Sequence, residues 1–186
     1  MQLSADEKSR IHAAVAAAEA RTPVHVAVSV VPASDRYLLF PLAWGAVTAL
    51  FAGGVMALAW PHLPLRAAFA IEAGVFIAFS LLFDWLPLRM RLVPRHIRGR
   101  RAQALAHREF AARILASSER KGGVLFFVSL AERYAEIIAD RETHALAGAT
   151  AWNRIVADYL AAARNGRVAD GTIAAIDACS AVIAPK

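Results

Sequence analysis

The 186-residue chain has a single cysteine, Cys179. It can form no intramolecular disulfide, and it fits core packing in a reducing compartment better than redox chemistry. No Walker loop, G-x-G-x-x-G turn or G-x-S-x-G elbow occurs. The common phosphate-cradling and nucleophile-elbow signatures are therefore missing. Ser129 lies in a strand-like run with no evident base. The six histidines are scattered without metal-ligand spacing, and only His144, four residues after Asp140, resembles part of a zinc or acid–base site. Two further absences are local. No Asp, Glu, Lys or Arg lies between Tyr37 and Leu65, and no acid lies between Asp84 and Glu109.

The first of these gaps is "YLLFPLAWGAVTALFAGGVMALAWPHLPL", and about 20 apolar residues suffice to cross a bilayer core. A second run, "AAFAIEAGVFIAFSLLFDWLPL", follows Arg66, is interrupted by Glu72 and contains Asp84 near its end. Trp44, Trp60 and Trp85 sit near the ends of the runs, where indoles favour the headgroup region. The prolines of "PHLP" oppose one continuous helix. The expectation is a two-helix membrane hairpin, about 40–60 and 66–86, rather than a buried hairpin of a soluble protein. The first 36 residues are polar and patterned, unlike a signal peptide. Glu72 lies within two turns of the hairpin tip, where its carboxylate can snorkel outward or meet Arg66 or His62.

The second gap holds Arg89, Arg91, Arg95, Arg98, Arg100 and Arg101. The chain has 21 Lys+Arg against 15 Asp+Glu, so without these six its charges balance. The positive charge is one patch beside the second apolar run, with no aromatic except His96 for base stacking. Nucleic-acid binding is the weaker reading. Anionic headgroups are the expected partner, each nearby Arg contributing about 1 kcal/mol. The outer flanks carry Arg36 and the six-arginine run, whereas the turn holds only Arg66. Positive-inside bias places both termini in the cytoplasm, with two spans through the inner membrane.

The flanks read as an α/β domain. Ser4-x-x-Glu7 is a capping box opening an amphipathic helix, and Val24, Val26, Val28 and Val30 alternate as one face of a strand. Ala102, Leu105, Ala106, Phe110 and Ile114 line a helix running from about Arg101 to Gly122-Gly123. "VLFFVSL" fits a strand buried on both faces, and "YAEIIAD" its antiparallel partner. Trp152, Ile155, Val156, Tyr159 and Leu160 line a further helix ended by Asn165-Gly166. Asp170 is expected to cap the last helix, which buries Ile173, Ile176 and Ile183. One strand cannot bury its faces alone, so Val24–Val31 should pair parallel to Val124–Leu130 through a crossover. The fold class is α/β: a central mixed sheet flanked by helices, split by an inserted two-helix transmembrane hairpin. The boundaries are 1–36, 37–88 for the hairpin, 89–101 for the basic segment, and 102–186.

"AVAAAEARTPVHVAVSVVPASDRY" and "GVLFFVSLAERYAEIIAD" together resemble the TPM domain, also described as a TPM phosphatase. The intervening hairpin and "RLVPR" are similar to a bacterial subgroup described only as membrane proteins. The resemblance implies a TPM-like central sheet with flanking helices. Activities linked to relatives include acid phosphatase, calcium binding, photosystem repair and receptor accessory roles. In relatives, acidic residues proposed for metal or phosphate chemistry cluster at the turn between the paired strands and just beyond the second. The corresponding positions are Glu132, Asp140 and Glu142, candidate ligands of calcium or another divalent cation, against the plainer reading that all three are solvated turn residues. An acidic pair before Arg is common at that turn, but here it is Ala131-Glu132-Arg133. After Asp140, Arg141-Glu142-Thr143 departs from the glycine-containing motif of relatives. The expected function is a non-enzymatic accessory, assembly or quality-control module acting on another membrane protein. The alternative is a cation-dependent phosphatase at the cytoplasmic membrane face.

Overall fold

The computed structural model describes residues 3–115 and 122–184. The chain divides into two compact units, one formed by Met1–Ser34 together with Gly99–Lys186, the other by Asp35–Arg98.

In the first unit, helix α1 (Ala5–Arg21) opens with the expected capping box. Ser4 Oγ accepts the Glu7 amide at 3.1 Å, and Glu7 Oε2 accepts the Ser4 amide at 2.7 Å. These two bonds satisfy donors that the first helical turn leaves unpaired. Strand β1 (His25–Val31) pairs parallel to β2 (Gly123–Ser129), with Val28 opposite Phe126. Strand β3 (Tyr134–Ala139) pairs antiparallel on the other side of β2, with Phe126 opposite Ile137. The order β1-β2-β3 makes β2 central, and all seven of its residues are buried. That is why its sequence is continuously apolar rather than alternating.

Even-numbered residues of β1 and β2 face one layer. Val26, Val124, Phe126 and Val128 pack there with Ile11 and Ala18 of α1, with Trp152, Ile155 and Tyr159 of α7 (Ala149–Arg164), and with Ile176, Cys179 and Ile183 of α8 (Val168–Ile183). Phe126 and Tyr159 meet edge to face, centroids 5.1 Å apart. The opposite face carries Ala27, Leu125 and Phe127 against Ala102 and Ala106 of α5 (Arg95–Phe110) and Ile114 of the following π-helical turn, Ala111–Leu115. The small side chains at 102 and 106 let α5 approach the sheet closely. The surface ion pairs Arg10–Asp170 and Arg21–Asp177, at 2.6 and 2.7 Å, link α1 to α8.

The second unit contains α2 (Leu39–Ala59), α3 (Leu65–Asp84) and α4 (Leu86–Leu92). Both α2 and α3 are long and apolar enough to cross a membrane, and very little of either is buried. The buried residues of α2 are Pro41, Gly45 and Ala49, spaced by four. A Cβ on Gly45 would collide with Ser80 Oγ, so glycine allows the two backbones to approach. One turn beyond Ala49, the Glu72 carboxylate lies against Gly53, so it points toward α2 rather than toward Arg66 or His62.

Four elements differ from the sequence reading, the first being the short helix α4, which it does not anticipate. Helix α5 begins at Arg95, not near Arg101, because Pro94 supplies a start: its carbonyl accepts the Ile97 and Arg98 amides. The rest of the helix expected there, 116–121, lies outside the described residues. An additional helix, α6 (Arg141–Ala147), follows β3. Asp170 does not cap α8, whose N-cap is Arg167; it sits in the first turn and pairs with Arg10.

Candidate functional site

The β2–β3 hairpin fixes where the acidic candidates stand. Glu132 is in its turn, where Oε1 accepts the Ser34 amide at 3.0 Å and Oε2 accepts Ser129 Oγ–H in a very short bond. Ser34 Oγ lies 2.8 Å from Ser129 Oγ. The sequence offered Ser129 no base; the fold places Glu132 beside it. Ser129 is nonetheless 0 % exposed, which denies its hydroxyl a substrate. The trio ties the segment after β1 to the end of β2.

Asp140 stands at the other end of the same strands. As N-cap of α6 its Oδ1 accepts the Glu142 and Thr143 amides, each at 2.9 Å. Its Oδ2 accepts Thr143 Oγ1–H at 2.9 Å and the Gly123 amide in a very short bond. Gly122 has φ +97°, and a Cβ there would lie 2.7 Å from Asp140 Oδ2. Glycine is thus required both by conformation and by the close approach. Partial burial raises the Asp140 pKa, but the amides of Thr143 and Gly123, with the Thr143 hydroxyl, outweigh it and hold the carboxyl below its ordinary value.

The register spans five residues from Ser129–Tyr134 to Val124–Ala139, or about 17 Å at the strand rise. Calcium ligands sit 2.3–2.6 Å from the ion, so two oxygens on one ion are at most about 5 Å apart. Glu132 and Asp140 therefore cannot share a cation. Glu142 is near Asp140 but exposed, and Asp140 already accepts four hydrogen bonds. Among the described residues no group of three His, Cys, Asp or Glu side chains is placed to hold a metal, and Glu132 stands apart from Asp140 and Glu142. His144 is exposed. Cys179 is buried, which pushes its thiol up to about 12 and keeps it neutral.

The Asp140 bonds predict a pH-dependent contribution to stability. A carboxyl whose folded pKa is depressed stabilises above its unfolded value, about 3.9, and loses that contribution as pH falls through the folded value. Asp140→Asn replaces an acceptor with a donor facing Gly123 and Thr143. It is expected to cost about 1–2 kcal/mol at pH 7. Denaturant titrations should show the gap from the parent protein constant above about pH 5 and narrowing below about pH 4.

The arginines do not form a uniform patch. Arg91, Arg95, Arg100 and Arg101 are exposed. Arg89 is 16 % exposed at its side chain and bonds Asp84 at 2.8 Å, and Arg98 is partly buried. On α5, Arg98 precedes buried Ala102 by one helical turn and shares its row, whereas Arg100 and Arg101 do not.

Sequence reasoning matched Arg133 to the turn motif of relatives without assigning it a role, and missed Arg164 at the end of α7; Arg133 holds φ +53°. Both line a cavity of about 580 Å³. The hairpin-turn position of Arg133 favours glycine or asparagine, a local misfit that was visible in "LAERY". A family model of the TPM domain matches residues 88–182, from within α4 through most of α8 and not including α1 or β1. No curated protein and no solved structure matches the chain.

Proposed function

This chain belongs to the TPM domain family, and from that premise we propose that it is a membrane-tethered, non-enzymatic TPM module. It acts in assembly or quality control of another membrane protein, at the cytoplasmic face of the inner membrane. The observation that carries this reading is the exposure of α2 and α3: Leu39, Leu58 and Leu65 are 77 %, 88 % and 85 % exposed, alongside Phe51, Phe69 and Leu81. A contiguous apolar surface of this kind requires lipid or protein cover, and the flanking arginines complement anionic headgroups. The non-enzymatic part is supported by the commitment of Glu132 and Asp140 to backbone amides and hydroxyls at opposite strand ends.

Topology tests the tether. With both flanks cytoplasmic, His62→Cys should react with an impermeant maleimide in intact cells, whereas Arg91→Cys should react only after permeabilisation. The native Cys179, 1 % exposed, does not compete. The reverse pattern would overturn the orientation. Purified protein is expected to hydrolyse no phosphomonoester above background with calcium or magnesium. Hydrolysis abolished by Glu132→Ala or Asp140→Ala would favour a cation-dependent phosphatase instead.

A further inference from the structure

The cavity opens at the C-terminal end of β2, between the β2–β3 turn and the corner where α7 gives way to α8. Leu130, Tyr159, Leu160 and Val168 supply apolar walls, and Arg133 and Arg164 supply two exposed cations. Among the described residues neither guanidinium has an ion-pair partner. Arg133 holds its left-handed backbone without such a bond, and a residue kept against its local preference is a pointer to function. Helix α8 begins at the same corner behind Arg167, with no side-chain cap, so the dipole of its first turn adds positive potential beside the cavity.

Two cations over apolar walls select an amphiphile with an anionic phosphate head: phosphate oxygens accept from guanidinium N–H groups, and the adjoining hydrocarbon covers Leu160 and Val168. Location supplies the source. Leu130 of the cavity wall directly follows Ser129, whose sealed hydroxyl contacts Ser34, the last residue of its unit before the chain leaves. Only five Cα–Cα steps, at most about 18 Å of extended chain, join Ser34 to the first residue of α2.

We propose that this cavity binds the headgroup of an anionic phospholipid, its phosphate held between Arg133 and Arg164. The membrane tether proposed above supplies the ligand; the chemistry of the cavity does not depend on it.

The test uses the full chain purified in a maltoside detergent, titrated calorimetrically with dihexanoyl phosphatidylglycerol, dihexanoyl phosphatidylcholine or inorganic phosphate. The anionic phosphatidylglycerol is expected to bind at least tenfold more tightly than either of the others. Arg133→Gly should weaken it tenfold or more without lowering the unfolding temperature, because glycine accepts the same backbone conformation. Arg164→Gln should weaken it comparably, and Arg154→Gln, on an exposed face of α7 away from the cavity, should leave it within twofold. Equal binding of the two lipids would overturn the proposal, as would unchanged binding in both cavity variants. Inorganic phosphate binding as tightly as the lipid would make this a site for free anions. If alkaline carbonate strips the protein from native membranes while cavity-dependent lipid binding persists, the tether fails and the cavity assignment stands.

Discussion

A chain in which residues 35–98 are replaced by a Gly/Ser linker is expected to leave the membrane fraction and unfold in one cooperative transition. The two segments that remain are strands of one sheet: β1 lies before the excised unit and pairs along its whole length with β2, which lies after it. Separated, β2 and β3 would form an isolated two-stranded hairpin, marginal in water, with the Val26 side of the core missing. Joined, they retain residues 99–110 of α5 as the connection that a parallel pair requires. The linker has only to restore chain continuity, and doubling its length costs about 0.6 kcal/mol. Sedimentation, with chemical unfolding followed by circular dichroism and fluorescence, checks both expectations. Two separated transitions, or an insoluble product, would show that the segments do not share a core.

In that soluble protein, Phe126→Ala is expected to cost about 3–5 kcal/mol, the range for removing a large buried aromatic. Phe126 is 2 % exposed and packs edge-on against Tyr159, whose hydroxyl burial pushes up to about 12. Phe127→Ala should cost a similar amount from the opposite side of the sheet, where the ring is 0 % exposed against Ala102 and Ala106. Because both side chains hang from one strand, both substitutions should shift the same unfolding midpoint. They should also leave its denaturant dependence unchanged, since neither alters the surface exposed on unfolding. A loss under 1 kcal/mol at Phe127 would mean that α5 does not cover that face.

Much of this architecture follows from local patterns. The apolar stretch of residues 37–88 contains two long helices that start and stop within about two residues of the expected 40–60 and 66–86, since length and uniform apolarity are local properties. The valine alternation at 24–30 and the unbroken "VLFFV" give an edge strand and a central strand, because burial on one face or two imposes different periods. Where acid and helix propensity compete, sequence fails. Asp170 looks like a cap because it precedes a periodic run, but Arg10 of α1, 160 residues away in sequence, recruits it. Asp140 looks like a ligand, yet Asp140-x-x-Thr143 is also an N-cap pattern, and Gly123 at the start of β2 brings an additional amide to it.

The sequence by itself determined the apolar hairpin and the strands from composition and periodicity within single stretches of chain, and the family and the strand pairing from the order of motifs along it. The tertiary structure alone decided that Glu132 and Asp140 stand at opposite ends of the strand pair, and that Ser129 is sealed beside Glu132. It also brought Arg133 and Arg164, from a turn and a helix end, to one cavity. Those relations depend on distances between residues that share no local pattern, and the register of β2 against its neighbours sets them.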